Sequence, residues 1–217
     1  MSSEVVPAEA VPVPETQLET NVGVARLMDF IAKYGSSPVD RKRCPAIDAE
    51  GNEVEVSLTD PTPVLYVFKT LSEPHVGELS FFRLYSGSVH PGMDLFNSDR
   101  KVNERIGQIY LANGKERSSA GTINAGDIGA MVKLRDTHTD NTLCSADRPI
   151  TLPKVEYPRP NIHAALKFDS KADEDKIAKG LAQLHEEDVT FHYRVDPELH
   201  QTIISGQGEL HLGVVRL

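Results

Sequence analysis

Three groups of side chains have the types and spacing to do chemistry. Gly206-Gln207-Gly208 follows a β-branched run and opens an amphipathic one, the setting in which backbone amides can cradle phosphate. His211 stands where a dinucleotide fingerprint needs its third glycine. The glycines therefore read as a sharp strand-to-helix turn, with nucleotide binding as the alternative. Glu186-Glu187-Asp188 could supply carboxylates for acid–base work, or form a solvated turn after a helix. His163, His185, His192, His200 and His211 crowd the C-terminal third. No pair has the compact spacing of a zinc site, so surface or interface positions are expected of them. His211 is either a solvated helix residue or a contact at a domain or ligand interface.

The commoner catalytic devices are missing. The only Gly-Lys pair, Gly114-Lys115, precedes Glu116, and Ile109 sits where a phosphate loop needs its first glycine. No serine stands in a G-x-S-x-G elbow. No catalytic residue, metal ligand or bound cofactor is predicted for this chain. Two basic stretches remain, Asp99-Arg100-Lys101-Val102-Asn103-Glu104-Arg105 and Lys115-Glu116-Arg117. Both read as ordinary solvated loops or as contacts to RNA phosphates through Arg100, Lys101, Arg105, Lys115 and Arg117.

Those residues need elements to hold them. Residues 1–22, with Pro7, Pro12 and Pro14, read as an irregular leader. Val24, Leu27, Met28 and Ile31 form one helical stripe, capped by Asn21 and closed by Gly35. Residues 39–62 are polar and predict a linker or a small hairpin turning at Gly51-Asn52. From Pro63 the rhythm is β. Val64–Phe68, 79–89, Met93–Phe96, Glu104–Tyr110 and Ile128–Leu134 read as strands, predicting a closed antiparallel barrel over 63–150. In the 79–89 strand, alternation puts Leu79, Phe81, Arg83 and Tyr85 on one face and Ser80, Phe82 and Leu84 on the other. Pro153, Pro158 and Pro160 mark a stiff connector over 151–160. Residues 161–217 then read β-α-β-β-α, the ferredoxin-like order without its last strand. The pattern stops inside its second helix, as expected of a fragment. The fold class expected is mostly β plus α+β.

Composition narrows the partners. The 217 residues carry a net charge of −9, yet residues 60–150 hold 10 basic and 11 acidic groups, so the barrel is almost neutral. Any nucleic-acid contact must be local. No run of about 18 apolar residues is present, so no membrane span is predicted. No secretory signal is visible, and two distant cysteines, Cys44 and Cys144, exclude a disulfide framework. A reducing cytoplasm is expected. Cys144, on an apparent strand, is expected to be buried packing.

Long runs carry a family resemblance. "VFKTLSEPHVGELSFFRLYSGSVHPGM", "NERIGQIY", "NAGDIGAMVKLRDTHTDNTLC" and "PITLPKVEYPRPNI" resemble the second domain of elongation factor G, a translational GTPase. "KADEDKIAKGLAQLHEEDVTF" and "QTIISGQGELHLGVV" resemble the start of its third domain, and "GVARLMDFIAKYGSSPVD" the closing helix of its GTP-binding domain. Thr16-Gln17-Leu18 replaces that domain's last guanine-contacting motif. The resemblance implies a parent that uses GTP and Mg to drive translocation on the ribosome. This chain would be its non-catalytic docking and relay part, a monomer meeting small-subunit RNA and protein and the missing GTP-binding domain. It also implies that Asp188, Thr190, Leu210 and His211 line the fusidic acid pocket. Gln207 replaces the family's usual methionine and Val189 its usual proline, the mark of a divergent paralogue. A recycling, ribosome-protection or peptide-release GTPase is the rival within the family. A free-standing RNA-binding barrel is the rival outside it; that reading needs exposed stacked aromatics and a basic groove.

Overall fold

The strand that carries the family-like run is built by alternation. β4 (Gly77–Ser86) buries Phe82 and Leu84 completely, while Phe81, Arg83 and Tyr85 on its other face are half-buried. It pairs antiparallel with β3 (Val64–Glu73) and β11 (Ile128–Val132). In the computed structural model, residues 23–41, 43–73, 77–114, 116–166, 171–198 and 201–215 are described. The leader, the predicted cap Asn21, Lys115, His200 and Leu217 lie outside them.

Among the described residues, those up to Asp40 and those from Arg41 onward form two separate units. In the first, α1 (Val24–Tyr34) bears the predicted apolar stripe, and the amide of Gly35 closes it on the Ile31 carbonyl at 2.7 Å. In the second, eight strands form one antiparallel sheet. Its order is β7 (Val102–Arg105), β6 (Asp94–Asn97), β12 (Thr142–Cys144), β3, β4, β11, β8 (Ile109–Asn113), β9 (Glu116–Ala120). Leu65, Phe82, Leu95, Ile109, Met131 and Leu143 come from six of these strands yet share one core, so the sheet curls around itself. No ladder joins β7 to β9 among the described residues. Residues 135–137 lie against β7 through Glu104, and β5 (Ser88–Val89) pairs with β10 (Ile123–Asn124).

Two expectations change, and a third is decided between its two readings. The predicted strand 104–110 is two strands, β7 and β8: Glu104 and Arg105 still pair with β6, and the ladder breaks over 106–108, where the Ile106 amide bonds the Met93 carbonyl at 2.8 Å. The predicted strand 128–134 stops at Val132, since Lys133 adopts a left-handed φ of 63°. Residues 39–62, read as a linker or a small hairpin, contain the hairpin. β1 (Arg43–Asp48) and β2 (Glu53–Ser57) pair with each other, and β1 pairs with β13 (Ile150–Thr151). Their Ala46 and Val56 join Val64, Tyr66, Cys144 and Ile150 in a second core. Cys144 is fully buried there, and both cysteines are free. Gly87 ends β4 with φ 67°, and a Cβ there would sit 2.6 Å from the Pro63 nitrogen, so only glycine fits the turn.

The rest follows the β-α-β-β-α order. β14 (Ile162–Leu166), β16 (Gln201–Gly206) and β15 (His192–Asp196) form an antiparallel sheet in that spatial order. α2 (Lys171–Glu187) and α3 (Glu209–Val215) accompany it. Leu181, Phe191, Ile204 and Leu212 make its core.

Candidate functional site

The chemistry-bearing side chains gather where α2 ends against the barrel. Asn97, completely buried at the end of β6, donates from Nδ2 to Thr137 Oγ1 at 3.1 Å and to Asn141 Oδ1 at 3.0 Å. Its Oδ1 accepts the amides of Asp99 and Arg100. One residue thus pins the 98–101 turn to the 136–141 loop. Glu104, 1% exposed, completes the clamp. Its carboxylate accepts the amides of Arg135 and Asp136, the latter at 2.7 Å, and the Thr137 hydroxyl at 3.0 Å. A charge is tolerated at this depth because backbone donors surround it.

The pinned loop presents Asp136 and His138. Arg100 donates to Asp136 Oδ1 from Nε at 3.0 Å and from Nη2 at 2.6 Å. These bonds hold the Asp136 carboxyl below the usual carboxylate range. His138 lies between carboxylates: Nδ1 is 2.7 Å from Glu186 Oε2 and Nε2 is 3.5 Å from Asp136 Oδ1. Glu187 accepts the Ser72 amide of β3 at 3.0 Å. A chain of polar contacts therefore runs from the 98–101 turn to the end of α2.

Glu186, Glu187 and Asp188 are not the solvated turn expected of three consecutive acids; each has a partner. Asp188 Oδ1 accepts from the Thr190 amide at 2.8 Å and its hydroxyl at 2.6 Å. Burial raises the pKa of this carboxyl, but the Thr190 donors and His211 together outweigh burial and leave it lowered. His211 Nδ1 accepts the Gln207 amide at 3.0 Å, so the neutral ring carries its proton on Nε2. That Nε2 is buried 2.9 Å from Asp188 Oδ2, near enough for an ion pair but outside hydrogen-bond alignment. Gly206 makes this packing possible: a Cβ there would meet His211 Nδ1 at 2.9 Å and Leu212 Cδ2 at 2.8 Å. The glycine serves close approach rather than phosphate binding.

Asp188 and Thr190 line a shallow hollow of about 350 Å³ with Phe68, Lys69, Thr139 and Tyr157. Of the four residues expected around an antibiotic pocket, Asp188, Thr190 and His211 come together. Leu210 does not; it is 83% exposed. The expected phosphate contacts divide as well. Arg100 is held by Asp136, Arg105 by Asp94 at 2.9 Å, and Arg117 by Glu73. Lys101 is exposed, and Lys115 lies outside the described residues.

The Pro-rich connector is tied at both ends. Tyr66 and Tyr157 both donate to Asp140 Oδ1, at 2.6 and 2.9 Å. Burial, reinforced by that carboxylate, pushes the Tyr157 hydroxyl up to about 12. Lys154 pairs with Asp99 at 3.0 Å. At the far end, Gln207 Nε2 donates to the Pro158 carbonyl at 3.1 Å. His138, Asp140 and Tyr157 gave no signal in the sequence, since none stands in a recognisable motif and their partners are distant in the chain; Glu186 stood out only as one of three consecutive acids.

The second-domain barrel and the β-α-β-β-α unit behind it match two family models. "Elongation factor G domain 2" covers residues 63–146 and "Elongation Factor G, domain III" covers 157–216, together more than half of the chain. The chain belongs to the elongation factor G family. A crystal structure from Thermus thermophilus superposes with a TM-score of 0.72 at 26% identity, over 91% of this chain and 27% of that one. This member of the elongation factor G family thus spans about a quarter of that relative's length. Neither matched domain is a GTP-binding domain. Among the described residues, no helix is long and apolar enough to cross a membrane, and no cluster of His, Cys, Asp and Glu is arranged for a metal ion.

Proposed function

We propose that this chain is the ribosome-docking and interdomain-relay part of an elongation factor G-like GTPase acting in tRNA and messenger translocation. In this reading the chain itself does no chemistry. GTP and Mg belong to a GTP-binding domain, and the chain, a cytoplasmic monomer, transmits that domain's state to small-subunit RNA and protein. The observation that carries the reading is the junction itself. A relay must pass displacement between its parts, and α2 is joined to the barrel by the Arg100–Asp136–His138–Glu186 chain and the Ser72–Glu187 bond. The connector adds Tyr157 on the barrel side and Gln207 on the other. Such polar interfaces can hold two arrangements and suit interdomain motion.

On this reading the barrel loops carrying Arg100, Lys101, Arg105, Lys115 and Arg117 face small-subunit RNA. Asp188, Thr190 and His211 belong to an interdomain surface that an antibiotic such as fusidic acid could occupy. The test is co-sedimentation of the chain with small ribosomal subunits, alongside titration with GTP. Binding to subunits without micromolar affinity for GTP is expected. Absence of subunit binding, or tight GTP binding by this chain alone, would refute the proposal.

A further inference from the structure

Of the cations singled out in the sequence, Arg100, Arg105 and Arg117 are neutralised by the fold, while Lys101 is left free beside two others. Residues 132–136 run antiparallel alongside residues 107–100. A Cβ on Gly107 would lie 3.5 Å from the Val132 carbonyl oxygen. The Arg135 amide reaches Glu104 at 3.1 Å, and Asp136 reaches Arg100 at 2.6 Å. This pairing brings Lys133 and Arg135 to the β7 edge of the barrel, beside Lys101. All three side chains are exposed. None has a carboxylate within ion-pair distance among the described residues, whereas Arg100, Arg105 and Lys154 nearby are each matched by an aspartate.

The backbone supplies a second observation. Among the described residues, three that are not glycine have left-handed φ, and two of them are Lys101 at 56° and Lys133 at 63°. That conformation costs a residue with a Cβ on the order of 1 kcal/mol. Here the cost falls on the two lysines of one rim, held there by the buried Glu104 and Asn97 contacts.

We infer that Lys101, Lys133 and Arg135 form a phosphate-binding rim on the β7 edge, and that its partner is the backbone of RNA. The inference rests on the docking role proposed above and relocates its contact away from Arg100, Arg105 and Arg117. The chain carries a net charge of −9, so a cluster of unmatched cations is a local exception that a polyanion would find. The three cations come from two loops clamped to one another. That arrangement suits tracking a charged backbone, whose phosphates are contacted without reading sequence.

Lys101→Asn, Lys133→Asn and Arg135→Gln together remove the charge, and asparagine tolerates the left-handed backbone. Arg41→Gln with Arg83→Gln is the control, since those two arginines also lack carboxylate partners among the described residues but lie beside Tyr85 and Cys44. Binding of the 217-residue chain to a short RNA duplex and to small ribosomal subunits is measured across salt concentrations. The rim variant is expected to lose on the order of tens-fold in duplex affinity near 0.1 M salt, and to flatten the salt slope by about 2. The control is expected to match wild type. Equal binding by the rim variant, loss only in the control, or no duplex binding by wild type overturns the inference. Displacement of the duplex by polyglutamate at equal charge also overturns it, by pointing to an acidic protein instead. Duplex binding that depends on the rim, with no subunit binding, leaves the rim standing and removes the docking role.

Discussion

Two side chains show how far burial can be pushed when partners are in place. Glu104 is buried in the barrel, and its counterparts are two amides and a hydroxyl rather than a cation. Glu104→Gln keeps the shape but weakens charge-assisted bonds and turns an amide group toward existing donors. A loss of about 2 kcal/mol in denaturant unfolding is expected, and a change below about 0.5 kcal/mol would show that the carboxylate is dispensable. Tyr157 makes the alkaline counterpart. Its folded pKa, about 12, lies above the ordinary tyrosine value of 10.0. Its contribution to stability is therefore full below pH 10 and is lost as pH rises toward 12. Tyr157→Phe should remove that component from a stability–pH profile read by circular dichroism; an identical alkaline profile in the variant counts against Asp140 as its anchor. Glu104 stood inside an apparent strand and looked like an outward charge. Only the loop brought to it from residues 135–137 explains why it points in.

At the scale of elements, the turn between β16 and α3 depends on absence of a side chain. Gly206→Ala would drive a methyl against His211 and Leu212, displacing the ring from the Gln207 amide. A destabilisation of about 1–3 kcal/mol is expected, with a changed His211 imidazole resonance in NMR; an unmoved resonance would show that the ring is not held by that turn. The order β-α-β-β-α was legible because periods of two and 3.6 alternate cleanly there. Strand 104–110 was read as one because no local pattern registers the break over 106–108, where the Ile106 amide turns to the Met93 carbonyl, and the 43–57 hairpin was left open between two readings. The core of that hairpin is completed by Tyr66, Cys144 and Ile150, which no local pattern links to it.

At the scale of the molecule, the junction between barrel and α2 makes residues 41–217 one unit. Glu186→Gln removes the charge facing His138, and a double variant with His138→Ala removes the link. Wild type is expected to unfold in one cooperative transition, and the double variant in two resolved steps, with the barrel outlasting α2. Two steps already in wild type would show that the link carries no coupling. Below about pH 4 a related loosening is expected: Asp136 has a lowered pKa, so its contribution is present above the ordinary 3.8 and is lost as pH falls through its folded value. Scattering profiles that stay superimposable from neutral to acid pH would argue against it. By itself the sequence determined the family, the mostly β class and the absence of a phosphate-loop pattern from these 217 residues, because these are written in local periodicity and in long contiguous runs. Only the tertiary structure decided which charges are free. Arg100, Arg105 and Arg117 are matched by Asp136, Asp94 and Glu73, while Lys101, Lys133 and Arg135 have no such match among the described residues. Charge matching depends on distances of a few ångströms between residues up to 44 positions apart, and no one-dimensional pattern records that.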